Sequence, residues 1–249
     1  MISKSNAFQL RALAAGIGAA LVLGALTPAH ADVTGNLNVV SKYVLRGITS
    51  NAENDGAAVQ GGFDYSHASG LYAGYWGSNL DYGNSTSATG FENDIYGGYK
   101  FSAGKAAFNL GAIYYLYTEV DDSNTAELVA SVGFGPVTFG LKYLTEDVVW
   151  GNKGDTYWTV DYSTALPKDY NFATTLGYYT YDDSDPGTAG KIAAGTTKND
   201  SGFRHLNLTL SHPLGKSGAT MGVTYVVGGE DRAGVKQKDT VVLSLGTTF

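Results

Sequence analysis

Val241-Val242-Leu243-Ser244-Leu245-Gly246-Thr247-Thr248-Phe249 closes the sequence. In an extended strand successive side chains point to opposite faces. Val241, Leu243, Leu245, Thr247 and Phe249 therefore share one face, and Val242, Ser244, Gly246 and Thr248 the other. Chain ends of soluble domains are normally frayed and polar. An alternating strand that finishes on a free aromatic is out of place at such an end.

The opposite end reads as an export signal. Lys4 and Arg11 precede an apolar run from Leu13 to Leu26, and Ala29-His30-Ala31 fits a small-residue cleavage site. The run is short of the roughly 20 residues that cross a membrane as a helix. Residues 1–31 are thus expected to be a cleaved signal peptide, and residues 32–249 one domain. With that label in place, the terminal strand resembles the signal by which outer-membrane barrels are taken up by the barrel-assembly machinery, with Phe249 as its last residue. Thr247 stands where such barrels often carry an aromatic.

Composition narrows the class. Gly 34 and Tyr 18 are high, Pro 5 is low and Cys is absent, so an exported fold must close without disulfides. Lys4 and Arg11 account for two of the 16 basic residues, which leaves 14 against 23 acidic ones from Asp32 onward, net −9. That balance argues against a nucleic-acid partner. Average hydropathy resembles that of a soluble protein, but a membrane barrel shows lipid only every second residue.

Twelve alternating segments follow: 33–49, 57–66, 70–81, 91–101, 106–119, 125–134, 136–147, 155–165, 171–182, 202–212, 219–229 and 241–249. Phe108, Leu110, Ala112, Tyr114 and Leu116 are in phase in the fifth, and Leu206, Leu208 and Leu210 oppose His205, Asn207 and Thr209 in the tenth. Most reach about ten residues, the length of a tilted membrane strand. Short connections alternate with longer ones near 50–56, 82–90, 120–124, 148–154, 183–201 and 230–238. Short periplasmic turns and long outer loops give that rhythm in an up-and-down transmembrane barrel with both ends on one side. The expected fold is all-β: an antiparallel β-barrel of about 12 strands in a bacterial outer membrane.

The first strands carry a resemblance. Ser41-Lys42-Tyr43-Val44-Leu45-Arg46-Gly47-Ile48-Thr49, Ala57-Ala58-Val59-Gln60-Gly61-Gly62-Phe63-Asp64-Tyr65 and Ser69-Gly70-Leu71-Tyr72-Ala73-Gly74-Tyr75-Trp76-Gly77-Ser78-Asn79 are similar to the proteobacterial TorF-type porins. Glu92-Asn93-Asp94-Ile95-Tyr96-Gly97-Gly98-Tyr99 continues the likeness. It covers about the first third of the mature chain. It implies an outer-membrane barrel and says little about a substrate.

Strand parity places Lys42, Arg46, Gln60, Asp64, Glu92, Asp94, Lys100, Glu119, Glu127, Lys142, Glu146 and Asp161 on the lumen side. A first hairpin centred near residue 53 sets Lys42 opposite Asp64 and Arg46 opposite Gln60. A turn centred near 86 sets Ser78 opposite Asp94 and Trp76 opposite Tyr96. Lys42, Arg46, Asp64, Glu92, Asp94 and Lys142 are the candidates for tuning passage. The belt reads either as a selectivity constriction or as a wall-stabilising network in a plugged barrel. The function expected is passive diffusion of small hydrophilic solutes or ions. A closed structural or receptor-like barrel, or a lipid-modifying enzyme, is the alternative. No catalytic, metal or cofactor residues are assigned: His67, His205 and His212 lack ligand spacing, and no G-x-S-x-G element occurs. Asp182-Asp183-Ser184-Asp185 opens the loop 183–201, read as a solvated surface loop, with a segment that folds inward or binds a divalent cation as the alternatives. Expected partners are outer-membrane lipids, lipopolysaccharide, the barrel-assembly machinery and the permeating solutes.

Deleting Phe249 should impair membrane insertion. Surface protein at the wild-type level in the deletion strain would refute its role as an assembly signal.

Overall fold

The computed structural model describes residues 31–82, 89–183 and 197–249. The signal-peptide expectation over 1–31 falls almost wholly outside them, as does most of the loop 183–201. The strands are β1 (Asp32–Val40), β2 (Ala58–Ser66), β3 (Leu71–Asp81), β4 (Thr89–Ala103), β5 (Ala106–Thr118) and β6 (Thr125–Phe134). They continue as β7 (Val137–Leu144), β8 (Thr156–Ala165), β9 (Asn171–Thr180), β10 (Ser201–Pro213), β11 (Ala219–Gly228) and β12 (Thr240–Thr248). Each pairs antiparallel with its sequence neighbours, and β1 pairs with β12 to close the barrel.

The outer wall is built for lipid. Leu37, Leu110, Leu128, Leu243 and Leu245 each leave about half of their surface outside, from 48% to 54%. Exposed aromatics gather towards both rims. Phe91, Trp158, Tyr178, Phe203 and Tyr225 stand near the long-loop end, and Tyr65, Tyr99, Phe134, Tyr162 and Tyr170 near the short-turn end. Such girdles suit the two interfaces of a bilayer. At the seam Phe249 exchanges backbone bonds with Gly35. Its ring lies where a side chain on Gly35 would stand, 2.5 Å from the ideal Cβ position.

Two registers differ from the expected ones. β1 stops at Val40, and pairing runs Asn38↔Gln60 and Thr34↔Asp64, so Lys42 and Arg46 have no partner on β2. The alternation continues past Val40 because residues 41–57 do pack against apolar surfaces, but inside the lumen. β3 and β4 pair Ser78↔Glu92 and Trp76↔Asp94, a slip of two residues that keeps every side chain on its expected face. Glu119 and Glu146 lie beyond the strand ends, exposed on loops, and not on the lumen wall.

β10 carries a bulge between Phe203 and His205. An extra residue re-aims the side chains beside it. Arg204 and His205 are both buried as a result, although they are adjacent in sequence.

Leu243→Arg on the outer wall should cost about 2–4 kcal/mol of stability in lipid vesicles, whereas Thr209→Ala on the lumen face should cost less than about 1. Urea titration of tryptophan fluorescence checks both, and equal losses would contradict the assignment of faces.

Candidate functional site

The 17-residue connection 41–57 between β1 and β2 folds into the long-loop half of the lumen. Its stem is tied by backbone. Tyr43 and Asn54 exchange bonds, and Asp55 and Asp81 extend the pairing towards β3. Tyr43, Val44 and Ala52 pack with Leu80, Ile113, Val226 and Val242 in an apolar cluster. Lys42 pairs with Asp55 and reaches the Thr49 carbonyl. The side chain read as a wall cation is therefore a clasp across the base of this segment.

The tip turns through Leu45-Arg46-Gly47-Ile48. Arg46 and Gly47 have φ of 46° and 76°, and the Ile48 N–H donates to the Leu45 carbonyl at 3.0 Å. Two consecutive positive φ values mark a type I′ turn. A side chain at Gly47 would meet both a strained backbone and the Cβ of His205 at 2.5 Å.

The turn delivers Arg46 to the far wall. Its guanidinium donates to both Glu127 oxygens, at 2.8 and 2.6 Å, and to the hydroxyls of Tyr179 at 2.7 Å and Tyr115 at 3.1 Å. Tyr115 in turn donates to Glu127. The Tyr157 ring lies 4.9 Å from the Arg46 Cζ and the Trp150 ring 6.0 Å. Arg46 is 4% exposed and Glu127 1%. A bidentate guanidinium–carboxylate pair is the geometry that best offsets the cost of burying two charges. From the bulge, Arg204 Nε donates to the Arg46 carbonyl. The Gln237 side-chain oxygen accepts from the Thr49 and Ser50 N–H groups and from the Ser50 hydroxyl.

Beside the stem, Glu92 is fully buried and accepts from Tyr117. Among the described residues its second oxygen and one oxygen of Asp94 have no hydrogen-bond partner. Glu53 accepts from Tyr82. Burial pushes the Glu53 carboxyl above its ordinary range, opposed by that hydroxyl and by the charge of Arg46. Lys142, half-buried on β7, feels Glu127, Asp94 and Glu92 but forms no ion pair with the described residues. Nearer the short-turn end Asp64 accepts from Tyr96 at 2.6 Å, and Lys100 sits over the Tyr72 ring.

Parity thus found the faces of Asp64, Glu92, Asp94 and Lys142, and the structure brings Glu92, Asp94 and Lys142 into one field around Arg46. It missed Arg204, whose inward direction depends on the bulge, and Gln237 and Trp150, which come from loops. Among the described residues no group of His, Cys, Asp and Glu converges as a metal set.

Residues 25–188 match the family described as "Bacterial protein of unknown function (Gcw_chp)". No curated protein matches the sequence. Solved structures that share the fold include the following three. One is a chain from work on the in-meso crystallization of membrane proteins, with TM-score 0.53 and 10% identity over 88% of this chain and 83% of that one. The NanC porin has TM-score 0.50 and 11% identity over 88% and 99%. An outer membrane channel from Pseudomonas putida F1 has TM-score 0.51 and 9% identity over 89% and 96%. Identities this low carry the architecture alone.

Since the Glu53 value is raised, the stability contributed by its protonated form is fully present below the ordinary carboxylate value of 4.5 and is lost as pH rises through the shifted one. Glu53→Gln should flatten that fall in the urea midpoint. An unchanged slope would count against Glu53 as its source.

Proposed function

The chain belongs to the bacterial Gcw_chp family, whose function is unknown, and we propose from the barrel itself that it is an outer-membrane channel for passive diffusion of small hydrophilic solutes or ions. One observation supports this above the rest: the wall is apolar outside and carries charged side chains inside. Among the described residues Lys142 forms no ion pair, and Asp94 lies in the same field. Water and passing solutes can solvate both. Fold-level likeness to a porin and to an outer membrane channel agrees with this role.

In this reading Lys142, Asp94, Glu92, Asp64 and Lys100 set what passes, while Lys42 and Arg46 shape the segment that narrows the lumen. The setting is the outer membrane, reached through the periplasm, with lipid and lipopolysaccharide against the wall and the assembly machinery engaging Phe249. A second reading, a closed receptor-like barrel, draws on the depth to which residues 41–57 fill the long-loop half. No catalytic role is proposed for any residue.

Conductance of the refolded mature protein in a planar bilayer separates the two readings, with discrete steps expected for a channel. Lys142→Gln should shift the permeability ratio towards cations and Asp94→Asn towards anions, each by roughly twofold. Reversal potentials unchanged in both variants would remove these residues from the filter.

A further inference from the structure

The segment 41–57 is fastened in two different ways along its length. Its stem is held by backbone bonds between Tyr43 and Asn54, by backbone bonds to Asp81, and by the apolar cluster around Val44 and Ala52. Its tip, residues 45–51, has no backbone-to-backbone bond to the wall among the described residues. Side chains carry the connection instead: Arg46 to Glu127, Arg204 to the Arg46 carbonyl, Gln237 to Thr49 and Ser50, and the Thr49 hydroxyl to the Lys238 carbonyl.

The wall that meets the tip is polar: Glu127, Tyr115, Tyr179 and Arg204 bind Arg46, and His205 lies against Gly47. Groups of this kind can be solvated by water when the tip leaves. Glu127, Tyr115, Arg204 and His205 are each at most 7% exposed while the tip is in place.

We propose that residues 45–51 form a gate: the tip pivots on the fixed stem, and the Arg46–Glu127 pair is the latch that holds it across the lumen. This rests on the channel reading above. Opening breaks no backbone ladder of the barrel, since the tip has none to the wall. It exchanges the Arg46 contacts for water and exposes the polar wall behind them. Glu127 belongs to β6 and Arg204 to β10, so the latch bridges strands far apart around the barrel and the closed tip spans the lumen. The bulge that turns Arg204 inward positions the tip and does not line the path.

Single-channel recording in potassium chloride tests the gate on the full mature protein and three variants. These are Arg46→Gln, Arg46→Lys, and a chain in which residues 45–51 are replaced by a short glycine linker. Heat-modifiable mobility identifies the folded barrel in each. Open-state occupancy should rise at least about tenfold for Arg46→Gln and for the shortened tip, with Arg46→Lys in between because it keeps the charge and loses the bidentate bond. Folded variants that conduct like the wild type would overturn the gate and leave the channel standing. If the wild type and every folded variant are silent, the channel reading falls and the gate with it. Should the shortened tip fail to fold, Arg46→Gln, which leaves the stem intact, decides the question.

Discussion

Lipid offers the backbone no hydrogen-bond partner, so a sheet that crosses it must have no free edge. Pairing of β1 with β12 meets that demand, and the rest of the structure depends on it. Both strands must keep their register at the seam, which the mutual bonds of Gly35 and Phe249 extend to the last residue. Closure also divides the side chains into two populations with no exchange between them. Leu243 and Leu245 meet lipid, and the alternating Ser244 and Gly246 meet the lumen. The free terminal aromatic and the polar interior follow from one geometric requirement.

Closure creates a second problem in the lumen. A barrel of this size encloses more space than its own inward side chains occupy at the long-loop end, and the connection 41–57 fills it. Filling a polar interior with chain means supplying hydrogen-bond partners from the filler. Arg46 does so for Glu127, Tyr115 and Tyr179 at once, which no neutral side chain can match. Once the guanidinium is there, Glu127 cannot be exchanged without leaving a buried charge unpaired. The two residues therefore depend on each other, although 81 positions separate them.

The barrel was legible in the sequence because its main signal is a period of two, and a side chain's face survives errors in register. Ser78 and Asp94 were paired wrongly by two residues, yet both were correctly placed inside. The first hairpin failed for a different reason. Tyr43 and Leu45 alternate with Lys42 and Arg46, so they continue the look of a strand while serving a packed segment. Nothing in a local pattern separates an apolar residue facing lipid from one facing a plug. Arg204 was hidden by the bulge, since strict alternation assigns it to the lipid side. The partners of Arg46 were out of reach for a third reason: they come from β5, β6 and β9, and only the curvature of the closed sheet brings those strands opposite β1.

The two ends of the lumen are held by different physics, which bears on how such a barrel can open. Towards the short turns, a tyrosine ring is set against a glycine. The Tyr96 ring occupies the space a side chain at Gly74 would take, 2.3 Å from its ideal Cβ, and its hydroxyl is fixed by Asp64. That wall has side chains set against its own backbone, and among the described residues no separate segment fills it. Towards the long loops, the space is closed by a segment whose outer part is attached through side chains alone. Rearrangement therefore costs least where charge and hydrogen bonds, which water can replace, do the holding. It costs most where ladder bonds and aromatic packing do. The sequence places its inward-reaching arginine in the first of these regions, at the tip of the turn.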